Sequence, residues 1–122
     1  MKNFYLLLVV ILVSCSSTPK PVQKPISDNY DQLWNAAYKV AITYPLKDFS
    51  KKSGTLESEW IYLEENHRYK FFITLEKKVD TFQLEIDTLH QTQASKQAPW
   101  RWHAPLSNIQ EQLKMKIHES LS

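Results

Sequence analysis

Two neighbouring stretches, Arg68 to Lys77 and Thr81 to His90, alternate apolar and polar side chains with a period of two, and they leave this chain few folds to choose from. In the first, Tyr69, Phe71, Ile73 and Leu75 point one way and Arg68, Lys70, Thr74 and Glu76 the other, with Phe72 out of phase. In the second, Phe82, Leu84 and Ile86 oppose Gln83, Glu85 and Asp87. Odd inward residues on one strand must then face even inward residues on the next, so the turn between Lys77 and Asp80 has to keep the two runs in phase. A tight hairpin centred between Lys78 and Val79 does so. It pairs Leu75 with Phe82, Ile73 with Leu84 and Phe71 with Ile86, and sets Lys70 opposite Asp87. The other face is polar, so one side of the sheet is covered and one is wet.

The flanking segments supply the cover. Tyr30, Leu33, Trp34, Ala37, Val40, Ala41 and Tyr44 recur at spacings of three and four, which predicts an amphipathic helix from Tyr30 to Tyr44. Ser27 or Asp28 caps its start, and Pro45 stops it. Trp34 belongs to the core at that spacing. Leu46 to Ser50 reads as a short strand, followed by a turn at Gly54, the chain's single glycine. Thr55 to Leu63 alternates again, with Leu56, Ser58, Trp60 and Tyr62 on one face. Near the end, Leu106, Ile109, Leu113, Ile117 and Leu121 form a narrow helical stripe behind a capping box of Ser107 and Gln110. The order helix, four strands, helix predicts an α+β domain of two layers, in which a four-stranded antiparallel meander is closed by two helices.

The first residues carry a different message. Lys2 precedes an apolar run from Phe4 to Val13, too short to span a bilayer, which takes about 20 residues. Leu12-Val13-Ser14-Cys15 resembles the lipobox of bacterial lipoprotein precursors. That resemblance implies cleavage before Cys15 and acylation of its sulfur, and Ser16 after it implies sorting to the outer membrane. Cys15 is the chain's one cysteine, so no internal disulfide is available, and acylation accounts for an otherwise unpaired thiol. Two or more acyl chains anchor firmly, since each buried CH₂ contributes about 0.8 kcal/mol. Residues 16–29 hold three prolines and two lysines among small polar residues, the composition of an extended spacer. The expected organisation is a signal peptide over residues 1–14, a lipidated cysteine and tether over 15–29, and a folded domain over 30–122.

Composition removes several function classes. Acidic and basic residues nearly balance, 13 against 15, which is no electrostatic footprint for nucleic acid. A single glycine excludes glycine-rich phosphate loops. His67, His90, His103 and His118 show no i, i+4 pair of the kind that marks a zinc helix, so neither metal nor cofactor is expected. Ser53-Gly54 lacks the pattern around a nucleophilic serine and reads as a turn. Glu57, Glu59, Glu64 and Glu65 could supply paired carboxylates for acid/base work, but Glu57 and Glu59 sit on the outer face of a strand, where solvated charge is the ordinary case, and Glu64 and Glu65 lie in a polar connection. No catalytic residue is expected, and the chain is not expected to be an enzyme. Pro99-Trp100-Arg101-Trp102 stands out, because Trp and Arg are enriched at binding hot spots. It is either a further strand that braces the core with one Trp, or a contact surface.

Tyr30 to Ala37, the Gly54 to Trp60 turn and strand, and Arg68-Tyr69-Lys70-Phe71 together resemble small proteobacterial lipoproteins of unassigned function. These are similar to the repeated domain of the C lipoprotein of the outer-membrane β-barrel assembly machinery. The resemblance covers most of Tyr30 to Leu121. It implies a helix-grip fold, with a long helix clasped by an antiparallel sheet, and it assigns Trp102 to the core, leaving Trp100 and Arg101 as the candidate partner-binding residues. The expected function is a binding or scaffolding module anchored by Cys15 and facing the periplasm, with a protein partner in the envelope and a role accessory to outer-membrane protein assembly. A binder of a small apolar or lipidic ligand, held between helix and sheet, is the alternative.

Overall fold

A computed structural model describes residues 25–121. Cys15, the signal segment and residues 15–24 of the tether lie outside the described residues. Among those described, seven strands form one antiparallel sheet, with helices α1 (Tyr30–Ala41) and α2 (Ser107–Leu121). The strands are β1 (Ile26–Ser27), β2 (Leu46–Ser50), β3 (Thr55–Ser58), β4 (Ile61–Glu64), β5 (His67–Lys77), β6 (Phe82–Thr92) and β7 (Arg101–His103). This overturns the expected helix, four-stranded meander and helix, and with it the helix-grip arrangement. The sheet gains β1 and β7, both added to β6, and the expected strand from Thr55 to Leu63 is broken into β3 and β4, which follow one another along β5.

The β5–β6 hairpin is the axis. Its two strands pair over eleven positions each, from His67 with Thr92 to Lys77 with Phe82. The register differs by two residues from the sequence-based expectation: Leu75 faces Leu84, Ile73 faces Ile86, and Lys70 faces Leu89 rather than Asp87. The turn sits one position later, around Val79 and Asp80, closed by the Lys78 amide donating to the Thr81 carbonyl at 2.7 Å. A slip of two preserves side-chain parity, so Tyr69, Phe71, Ile73 and Leu75 still share a buried face with Leu84 and Ile86.

Both helices contribute to the core on that face. Leu33, Trp34, Ala37, Val40 and Ala41 from α1 and Leu113 and Ile117 from α2 are buried against the sheet residues. Asn29 is the N-cap of α1, its side-chain oxygen accepting from the Gln32 amide at 3.2 Å, in place of Ser27 or Asp28. The helix ends at Ala41, so Tyr44 turns back and packs edge-on against Phe71 at 5.4 Å. Gln110 does not close a capping box. Its amide crosses to the sheet and donates to the Ile86 carbonyl at 2.7 Å. Residues 25–29, expected in the tether, belong to the domain: β1 pairs with β6, and the carbonyl of buried Pro25 accepts from the Leu84 amide.

The break between β3 and β4 has the largest consequence. Leu56 faces Ile73 and Glu57 faces Phe72, but Ile61 faces Tyr69 and Tyr62 faces Arg68, so one extra residue lies on the β3–β4 side. This is a bulge, and it reverses which face the following residues occupy. Leu56 and Ser58 stay in the core, while Trp60 and Tyr62 pass to the opposite face. Ser58, fully buried, accepts from the Phe71 amide at 2.9 Å and donates to the Glu59 carbonyl at 2.9 Å, so it satisfies ladder groups that the bulge would leave unpaired.

Gly54 closes the β2–β3 turn at φ +72°. A Cβ there would lie 3.0 Å from the Tyr30 hydroxyl and 3.1 Å from the Leu75 carbonyl oxygen. Gly54→Ala is therefore expected to destabilise the domain by about 1–3 kcal/mol through the left-handed backbone alone, and more through contact. Urea unfolding checks this, and an unchanged midpoint would contradict it.

Candidate functional site

The face opposite the helices was expected to be plainly polar. Instead it carries an aromatic and cationic cluster at the end of the sheet where β4 and β7 lie. Arg68 on β5 is its centre. Its guanidinium stacks 4.2 Å from the Trp60 ring and 3.9 Å from the Trp100 ring. Nε and one Nη donate to Gln91 Oε1 at 3.0 and 2.8 Å, and the other Nη donates to the Tyr62 hydroxyl at 3.2 Å. Trp60 also meets Trp102, and Tyr62 meets Trp100, each pair with ring centroids 6.3 Å apart. Side chains from β4 and the residue just before it, and from the β7 segment, thus close over Arg68 and Gln91 of the two central strands. Planar stacking combined with a two-pronged donation to one acceptor is chemistry that Arg supplies and Lys does not.

Lys70 extends the row. It is buried, its ammonium lies 5.3 Å from Trp60 and 5.5 Å from Phe72, and it donates to Glu57 at 2.9 Å. Lys47 approaches the same carboxylate oxygen at 3.4 Å. The hydrogen bond from Lys70, with further contributions from the charges of Lys70 and Lys47, holds the Glu57 carboxyl below its usual range. Of the other carboxylates, Glu65 is paired with Lys96 at 2.8 Å, and Glu59 and Glu64 are exposed. No two of these four are paired with each other.

The two candidate partner-binding residues separate. Trp100 is half-buried against Arg68, so it is part of the clasp rather than a free surface. Arg101 is exposed and, opposite Thr92, lies on the other side of the sheet. Trp102, which the resemblance assigned to the core, is instead 62% exposed. With Tyr62, 55% exposed and on the same face, it gives this end an exposed aromatic surface of the kind that marks interaction sites. Sequence reasoning missed Arg68, Trp60, Tyr62 and Gln91 as a group. The signal available was Ser58, a small polar residue in an inward run, which hinted that the alternation does not continue through Glu59.

On the helix-bearing face, strand register gathers three of the four histidines. His67 and His90 rings lie 4.5 Å apart, and His90 and His103 rings 5.3 Å apart. Burial, with smaller contributions from the neighbouring imidazoles, pushes the His90 pKa down. His118 is exposed on α2.

Two outcomes follow for the cluster. Arg68→Lys removes the stacked plane and the fork, and is expected to lower unfolding stability by about 2 kcal/mol with a red shift of tryptophan emission. A neutral result by denaturant titration would mean the clasp is decorative. For Glu57 the folded pKa lies below the unfolded value near 4.5. Its contribution is therefore complete above that value and is lost as pH falls through the folded pKa. Glu57→Gln should flatten the acid limb of a stability-versus-pH curve while leaving its shape above pH 6 unchanged.

A family described as a domain of unknown function, DUF3576, matches residues 28–120, which takes in α1, all but the last residue of α2 and six of the seven described strands. That match carries no activity, and nothing in it connects the chain with lipoproteins or with the β-barrel assembly machinery. No curated protein matches the chain. Because the match spans well over half of the sequence, this chain belongs to the DUF3576 family.

Proposed function

We propose that this protein is a lipid-anchored module that acts by contact rather than by covalent chemistry, held through Cys15 on the periplasmic side of the outer membrane and binding a protein of the envelope. The observation that carries this reading is the exposed aromatic surface of Trp102 and Tyr62, mounted on a preorganised Arg68 clasp. Rigid aromatic anchors held by their neighbours lose little freedom on binding, which is what a contact surface needs. The lipobox-like stretch ending at Cys15 supplies confinement, and confinement raises the effective concentration of a weak contact. An accessory role in outer-membrane protein assembly is the specific form of the proposal, and it rests on sequence resemblance.

The ligand-binding alternative finds little support in the geometry. The space between helices and sheet is filled by Leu33, Ala37, Phe71, Ile73, Leu84 and Ile117, all at 0% exposure. A surface depression lies instead between the helices, on their solvent side, beside Lys39, Lys116 and Glu119.

A photo-crosslinking residue at position 102, introduced into the full chain in its own membrane, tests the reading. A discrete envelope protein captured at position 102, and not from the exposed position 79 on the far turn, is the expected result. Equal capture from both positions, or none, would overturn the binding proposal. Cys15→Ser should move the protein out of the membrane fraction, and retention there would overturn the anchor.

A further inference from the structure

The histidine corner is separate from the aromatic cluster and lies on the opposite face of the sheet. His67, His90 and His103 come from three strands, and the pairing of β5 with β6 and of β6 with β7 brings them together. The hydrogen bonds fix which nitrogens carry protons. His90 Nδ1 faces the Ala104 carbonyl at 3.3 Å. A carbonyl only accepts, so Nδ1 bears the hydrogen, and the neutral ring then has its lone pair at Nε2. That lone pair meets His67 Nε2 directly. His103 is turned away, its Nε2 engaged with the Thr92 hydroxyl.

We propose that His67 and His90 form a two-imidazole chelate for a late first-row divalent cation of the Cu²⁺ or Zn²⁺ class. Their Nε2 atoms converge on one point, at half-buried side chains that solvent still reaches. His90 already has the arrangement of a metal-binding histidine, with its other nitrogen donating to a backbone carbonyl that holds the ring in place. An ion about 2.0–2.1 Å from each nitrogen needs them about 3.3 Å apart, which small side-chain rotations supply. Water completes the coordination, because no set of three or more His, Cys, Asp or Glu side chains among the described residues is placed to hold an ion. Arg101, on the same side of β7 and opposite Thr92, adds positive charge nearby. That charge acts on every divalent cation alike; it is the imidazole ligand pair that disfavours Mg²⁺ and Ca²⁺, which bind through oxygen, relative to cations that prefer nitrogen. A bound ion cross-links β5 to β6 at the end where β7 is added.

The test is titration of the full chain, without an affinity tag, with ZnCl₂ and separately with CuCl₂, following the imidazole ring signals by NMR. One equivalent should perturb His67 and His90 before His118. His67→Gln and His90→Gln should each weaken binding by at least about tenfold, as lost ligand-sphere groups do. Cys15→Ser and His118→Gln should leave it unchanged, and CaCl₂ should have no effect. Far-UV circular dichroism confirms that each variant is folded, and a single folded variant of the pair is sufficient for the comparison. Unperturbed His67 and His90 signals at about tenfold metal excess, or binding that survives the substitutions, would overturn the site.

Discussion

The pairing of β5 with β6 is the constraint from which the rest of the structure follows. Every other strand but β2 is hydrogen-bonded to one of these two, and β2 reaches them through β3. Each long strand is wide enough for two short neighbours in succession: β3 and β4 along β5, β1 and β7 along β6. The register of the hairpin therefore decides which side chains the short strands meet. It lines up Phe71, Ile73, Leu75, Leu84 and Ile86 beneath the helices, and it sets Arg68 beside Gln91 on the other side.

A sheet with one covered face normally leaves the other to water. Here the bulge after Ser58 sends Trp60 and Tyr62 to the uncovered side, where Arg68 and Lys70 already stand. The result is a second, smaller packed layer built from cations and rings. Stacking a guanidinium between two indoles removes water from its faces at low cost, because the guanidinium is weakly hydrated and each of its three nitrogens donates to Gln91 or Tyr62. Lys70 is buried only with Glu57 in contact, as a buried ammonium requires. The two faces thus differ in kind: one buries the apolar core, and the other carries a packed aromatic and cationic layer with Trp102 and Tyr62 exposed.

How much was legible before the structure can be judged residue by residue. The α1 stripe, the buried position of Trp34 and the inward parity of β5 and β6 follow from periodicity, and all three stand in the structure. The hairpin register did not follow, since parity admits slips of two residues and the Lys77 to Thr81 stretch contains no glycine to pin the turn. Strand β1 was missed, and the segment around β7 was left open between a further strand and a contact surface, because two or three residues are too few to show a period. The clasp was missed because a bulge adds a residue with no more sequence mark than the small polar Ser58, and Trp60 and Tyr62 were consequently placed on the wrong face.

By itself the sequence determined what is local: where a helix can run, which strand face is apolar, that Gly54 occupies a turn. Tertiary structure alone decided what is joined: Arg68 with Trp60 and Trp100, Ser58 with the Phe71 amide, His67 with His90. Periodicity reports the angle at which a side chain leaves its own element. Which partner it meets depends on how strands from distant parts of the chain align, and that alignment is set by the packing of the whole sheet.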